Sequence, residues 1–262
     1  MRTSRLTPPI GQLLDFAWSQ TRASAFAAAL LGGLAASQLL PTLPVARYDL
    51  LLCYGVLLTL VFWRRGWESG RDIAVITACH GVGLAFEIVK VHLGSWSYPE
   101  PAVLKFAGVP LYGGFLYAAV GSYVCRAWHL LDLELVRYRP RTMATVATLI
   151  YVNFFSHHWL PDARWVLTGL LALATAGTYV RYTVQTTRRR MPLLLSFTLI
   201  GFFLWVAENM ATYFGAWRYP YQLHGWQPVG LDKLGAWSLL ISVTFVLAAI
   251  GRTRPTDPAP KS

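Results

Sequence analysis

Residues 73–93 read IAVITACHGVGLAFEIVKVHL. The run is long enough to cross a hydrocarbon layer, which takes about 20 mostly apolar residues in helical form. It nevertheless carries His80, Glu87, Lys90 and His92. A helix with that content must turn its polar groups towards protein or water rather than lipid. It therefore belongs to a bundle, and the rest of the chain supplies its partners. Comparable apolar stretches occur at 23–41, 46–63, 109–129, 142–160, 164–183, 191–213 and 233–250. Together they predict an all-α fold: a polytopic transmembrane helical bundle of about eight spans.

Composition agrees. The 262 residues are 55% hydrophobic and 13% charged, whereas soluble domains carry roughly 25% charged residues. The 11 Trp suit a chain that crosses many interfaces, where indole rings sit at headgroup level. A net charge of +11 in a soluble protein would suggest nucleic acid. Here its placement follows topology, and no nucleic-acid partner is expected. With the N-terminus inside, the inner segments hold Arg2, Arg5, Arg22, Arg64, Arg65, Arg71, Arg137, Arg139, Arg141, Arg188, Arg189, Arg190, Arg252, Arg254 and Lys261. The outer loops keep Arg47, Lys105, Arg164, Arg218 and Lys233, mostly with an acid nearby. That bias predicts a multi-pass protein of the inner membrane with both termini cytoplasmic.

The expected organisation has three parts. Residues 1–22 form a cytoplasmic segment in which Ile10, Leu13, Leu14 and Ala17 recur at helical spacing, read either as an amphipathic helix on the membrane surface or as a solvated leader. Residues 23–250 form the membrane domain, and 251–262 a disordered cytoplasmic tail. Cys53, Cys79 and Cys125 fall in apolar runs without zinc or disulfide spacing and read as core filler.

A motif divides the membrane domain in two. Glu87 to Pro99 reads EIVKVHLGSWSYP, and 121 residues further on Glu208 to Pro220 reads ENMATYFGAWRYP. Glu, Gly, Trp, Tyr and Pro coincide. After a one-residue gap, Phe106, Val109 and Leu111 correspond to Trp226, Val229 and Leu231. This predicts two parallel four-helix halves, about 23–130 and 142–250, related by a pseudo-twofold axis along the membrane normal.

That axis brings Glu87 and Glu208 towards a shared site. A carboxylate in hydrocarbon is costly unless paired, protonated or hydrated. Two desolvated carboxyls can protonate an alkene or a leaving group and take a proton back. Alternatively they are interhelical glue, paired with Lys90. His80 lies seven residues before Glu87, about 20° around the helix, so the two share a face as catalytic candidates, with Lys90 a turn beyond. Asn209 extends the polar stripe on the other half. His157 and His158 are candidates for proton transfer or binding, although neighbours on a helix diverge by about 100° and rarely chelate one ion. Trp96, Tyr98, Trp217 and Tyr219, in the loops GSWSYP and GAWRYP, read as an aromatic belt or as the wall of an apolar site that could stabilise a carbocation. No phosphate loop, zinc motif, nucleophile elbow or dinucleotide fingerprint is present, so no metal or cofactor is expected.

At these residues the chain resembles the bacterial membrane family designated domain of unknown function 817, most clearly in FEIVKVHLGSWSYPEPAVLKFAGVPLYGGFLYAAVGSYVCRAWHL and FLWVAENMATYFGAWRYP. That resemblance implies architecture and no activity. Over a much shorter stretch the chain is also similar to membrane-embedded carotenoid enzymes, the bisanhydrobacterioruberin hydratases and small lycopene cyclases. The similarity is carried by Glu87, Gly94, Trp96, Tyr98 and Gly108 to Leu111; the second copy departs from it at Val229, Gly230 and Leu231. It implies acid-initiated chemistry on an isoprenoid double bond, without metal or nucleotide. The expected partner is a membrane lipid or apolar small molecule. The alternatives are a small-solute or proton-coupled transporter and a scaffold without substrate.

Overall fold

The computed structural model describes residues 9–40, 44–250 and 252. Among them are nine α-helices: α1 Pro9–Ala23, α2 Ala25–Ser37, α3 Arg47–Arg64, α4 Gly70–His92, α5 Gly114–Leu130, α6 Pro140–Ser156, α7 Arg164–Thr175, α8 Leu193–Tyr213 and α9 Asp232–Ala249. Each of the eight apolar stretches holds one of the helices α2 to α9. By length and composition α4, α8 and α9 are long and apolar enough to cross a membrane, which points to a membrane protein. The helices α2 and α7 are shorter apolar segments.

Local chemistry sets the ends of the two motif helices. At the start of α4, Ser69 and Asp72 form a reciprocal cap. Asp72 N donates to Ser69 Oγ at 3.2 Å, and Ser69 N donates to Asp72 Oδ2 at 2.8 Å. At the end of α4 Gly94 takes a left-handed conformation, φ +70°, and Ser95 N closes on Lys90 O at 2.9 Å. Glycine adopts that conformation at a helix C-terminus without a Cβ penalty. The end of α8 is built alike, with Gly215 at φ +68° and Ala216 N on Ala211 O at 2.9 Å.

The expectation of an all-α chain is corrected: the protein is mostly helical but contains two small antiparallel sheets. One is a hairpin, β1 Lys105–Phe106 with β2 Val109–Pro110, turned by Ala107 and Gly108. Both turn residues have positive φ, as a two-residue hairpin turn requires. The other sheet joins β3 Glu134–Val136, β4 Tyr179–Val184 and β5 Thr187–Pro192. The stretch expected as a helix to residue 183 stops at Thr175, before Gly177 at φ +73°. Beyond it TYVRYTV is rich in β-branched and aromatic residues, which suit a pleated strand.

Helix α2 packs on α3 and α5, while α6 packs on α7 and α9; α4 packs on α5, α8 on α9, and α5 meets α9. The largest apolar core includes Phe86, Cys125, Ile150, Phe197 and Phe245; a second surrounds Tyr48, Tyr98, Tyr112 and Trp217. Large apolar side chains also face outwards along α3, α7 and α8, such as Leu57, Leu173 and Phe203. Such a surface is costly in water and neutral in lipid.

Connecting segments gather at two ends. At the sheet end, Arg252 pairs with Asp72, Arg71 donates to Ile250 O at 2.9 Å and Arg126 donates to Arg22 O at 3.0 Å. At the motif end, Arg47 holds Glu100 through two bonds of 2.7 and 2.5 Å and reaches Gly215 O at 2.6 Å. Only Ser24 separates α1 from α2. The expected tail, apart from Arg252, lies outside the described residues, as do residues 1–8 of the N-terminal segment.

Candidate functional site

Glu87 sits in the last two turns of α4 and is 4% exposed; Glu208, in the corresponding part of α8, is 5% exposed. Neither forms an ion pair among the described residues. Each is held by neutral aromatic donors instead. Glu87 Oε2 accepts from Trp96 Nε1 at 2.6 Å and from Tyr98 Oη at 2.8 Å, and Oε1 accepts from Tyr117 Oη at 2.8 Å. Glu208 Oε1 accepts from Tyr219 Oη at 2.5 Å and Oε2 from Trp237 Nε1 at 2.7 Å.

The Gly turn explains the first donors. It folds the chain back over the end of its own helix, so that the Tyr eleven residues beyond each Glu reaches the carboxylate. The second donors come from the next helices, Tyr117 from α5 and Trp237 from α9. Those two were missed in the sequence. The signal was available, because the one-residue gap that aligns Val109 with Val229 also aligns Tyr117 with Trp237.

Aromatic contacts join the two carboxylate sites. The rings of Trp96 and Tyr219 lie 5.9 Å apart between centroids, and those of Tyr117 and Trp237 6.4 Å. A narrow, mostly apolar cleft lies beside the second ring pair, and neither Glu is among its lining residues. Tyr117 and Trp237 line it together with Cys79, Tyr151, Leu204 and Ile241. Trp217, the counterpart of Trp96, is buried in the cluster with Tyr98 and Tyr219.

Other candidates lie elsewhere. His80 shares α4 with Glu87 but packs edge-on against Phe115 at 4.7 Å and closely over Gly114; its Nδ1 is buried without a hydrogen-bond partner among the described residues. Asn209 does not extend the stripe at Glu208. Its amide donates to Trp205 O at 2.9 Å and its Oδ1 accepts from Val229 N at 2.9 Å, which fastens the loop before α9.

Lys90 pairs with neither Glu. Its ammonium, on a residue 3% exposed, meets His157 Nδ1 at 3.3 Å and His158 Nε2 at 3.2 Å and lies 5.6 Å from the Phe86 ring centre. The expected divergence of the two histidines is corrected, because α6 ends at Ser156 and the chain turns there; the imidazoles stand 4.2 Å apart and converge on Lys90.

A further buried acid lies at the sheet end. Glu68, between α3 and α4, accepts from Ser122 Oγ, and its Oε2 has no hydrogen-bond partner among the described residues. Burial raises its carboxyl above the ordinary 4.5, against the lowering effects of the Ser122 bond and the nearby Arg126 charge. Removing a carboxylate from water disfavours its charged form.

The sequence pattern of the family described as Protein of unknown function (DUF817) matches residues 12–245. The chain belongs to that family. It is 48% identical over 242 residues to the Bacillus subtilis (strain 168) Uncharacterized protein YoaT, covering 92% of this chain and 91% of the relative. No solved structure matches the chain. The site thus belongs to a family whose description states no activity.

Proposed function

We propose that this DUF817 protein acts within the membrane on an isoprenoid-like apolar lipid, with Glu87 and Glu208 as acid and base. The observation that carries the reading is the pair of buried carboxylates without ion-pair partners among the described residues, each bonded to an aromatic donor, Tyr117 or Trp237, that lines one apolar cleft. The alternative pairing of either Glu with Lys90 is not formed, because Lys90 is held by two histidines.

In this mechanism one carboxyl gives its proton to an alkene carbon, leaving a cation on the neighbouring carbon. The aromatic faces of Tyr117 and Trp237, which line the cleft, stabilise that cation. The second carboxylate then removes a proton from an adjacent carbon, so that the double bond moves or a ring closes with no net redox change. The local similarity to carotenoid hydratases and cyclases at Glu87, Gly94, Trp96 and Tyr98 supports the same chemistry.

The architecture proposed with it has about eight spans in the inner membrane and both termini cytoplasmic, with the sheet end inside. Two parallel four-helix halves meet at α5 and α9. The matched pairings of α2, α3, α4 and α5 with those of α6, α7, α8 and α9 support this arrangement. A proton-coupled transporter is the second reading, favoured by the buried oxygen of Glu68 at the sheet end that has no hydrogen-bond partner among the described residues.

The test compares the lipid extracts of a deletion strain, its parent and strains carrying Glu87→Gln or Glu208→Gln. Both variants keep side-chain size and hydrogen bonding, so both are expected to fold and to reproduce the lipid profile of the deletion strain. A parental profile in both variants would remove the acid-base mechanism.

A further inference from the structure

The three-stranded sheet has two unlike faces. Antiparallel partners carry their side chains on the same side, and residues two apart along a strand return to it. Val180, paired with Met191, and Tyr182, paired with Arg189, share one face. Helix α1 covers it, with Phe16 5.3 Å from Tyr182 between ring centres and Arg189 donating to Gln12 Oε1 at 2.5 Å.

The opposite face carries Arg181, paired with Arg190, and Arg188, two residues before Arg190; all three are exposed. Glu134, paired with Arg181, supplies its acid. Glu134 makes a close ion pair with Arg188 and a looser one, 3.7 Å, with Arg181. The Arg190 guanidinium lies 5.7 Å from the Tyr179 ring centre and forms no ion pair among the described residues.

Like charges directly opposite one another across an antiparallel pair repel. Arg181 facing Arg190 is therefore a cost that one Glu134 does not cancel. A bias of basic residues to one side of a membrane accounts for Arg in this loop but is indifferent to the face they take. The position along the chain is equally specific. Strand β5 ends at Pro192 and α8 begins at Leu193 without a linker. At about 3.3 Å per residue, Arg190 stands within about 10 Å of the first residue of that helix, at the level of lipid headgroups.

We propose that the face formed by Arg181, Arg188 and Arg190 binds the phosphate of an anionic phospholipid in the leaflet at the sheet end. Forked guanidiniums match phosphate oxygens two by two. A phosphate seated between Arg181 and Arg190 supplies the missing negative charge.

The test uses the full-length protein, purified in mild detergent and titrated with phosphatidylglycerol, with bound lipid counted by native mass spectrometry. The variant R181Q/R188Q/R190Q is expected to bind about a hundredfold more weakly, since each basic side chain near an anionic surface contributes roughly fivefold in affinity. The variant R137Q/R139Q/R141Q, with the same net charge, is expected to keep binding. Equal loss in both, or no loss in the first, overturns the proposal, and so does release of the lipid by millimolar inorganic phosphate. If the first variant fails to fold by circular dichroism, R181K/R190K keeps the charge but not the fork; a several-fold loss supports the site, and unchanged binding overturns it.

Discussion

Ser97 and Arg218 exchange both of their backbone hydrogen bonds, each 2.9 Å long, in an antiparallel bridge between the two motif loops. The two residues occupy the same place in their motifs, directly before Tyr98-Pro99 and Tyr219-Pro220. An antiparallel bridge between equivalent residues is the pairing that a local twofold axis generates. Through it each Glu–Tyr unit leans on the other, and Trp96 reaches Tyr219.

Arg47 locks this bridge from the side, holding Glu100 and the carbonyls of Phe214 and Gly215. Arg47→Gln is expected to cost about 2 kcal/mol, the range for hydrogen bonds to charged groups. Thermal unfolding in detergent measures it, and an unchanged midpoint would show that the lock is decorative.

The two turn glycines should differ in tolerance. Gly94→Ala meets open space. Its cost is the left-handed backbone alone, at most about 2 kcal/mol. Gly215→Ala adds a Cβ 3.1 Å from Gln38 Nε2 and 3.3 Å from Arg47 Nη2 and is expected to cost more. Equal midpoints for the two variants would contradict the packing described at the motif end.

Tyr117→Phe and Trp237→Phe each delete one donor to a carboxylate and leave a ring in place. Each is expected to destabilise by about 1 kcal/mol and to shift the lipid profile partway towards that of the Glu→Gln variants. A full parental profile in both would mean that these donors only pack.

Glu68 makes stability depend on pH. Its folded-state carboxyl titrates above the unfolded one, so the folded form holds a proton that the unfolded chain has released. The stabilisation is complete below about 4.5, the unfolded value, and is lost as pH rises through the folded value. Glu68→Gln should flatten that fall, so that the variant matches or exceeds the parent at pH 7 to 8. A midpoint lower than the parent's at every pH from 4 to 8 would rule this out.

Topology is tested by single cysteines read with an impermeant thiol reagent in whole cells. Val103→Cys and Leu223→Cys, both exposed at the motif end, are expected to react, and Arg189→Cys at the sheet end is not. The reverse pattern would invert the proposed orientation.

The helical stretches and the repeated Glu and Tyr-Pro motif were legible in the chain because both are local; that each Tyr bonds its own Glu was not read from it. Hydrocarbon forces each backbone polar group to find its partner within the same segment, which writes a span as an apolar run. The reach from Glu87 to Tyr98, or from Glu208 to Tyr219, follows from one glycine turn. The sheet was not legible. Its strands come from loops far apart in the chain, and TYVRYTV reads equally as the tail of an apolar helix until Glu134 to Val136 pairs with it. The partners of Lys90, and the second donors Tyr117 and Trp237, likewise arrive from other helices. Periodicity states which face of a helix is polar but not which neighbour meets it. That choice was made by packing, which set α4 against α5 and α8 against α9 and so gave the two acids their aromatic donors, Tyr117 and Trp237.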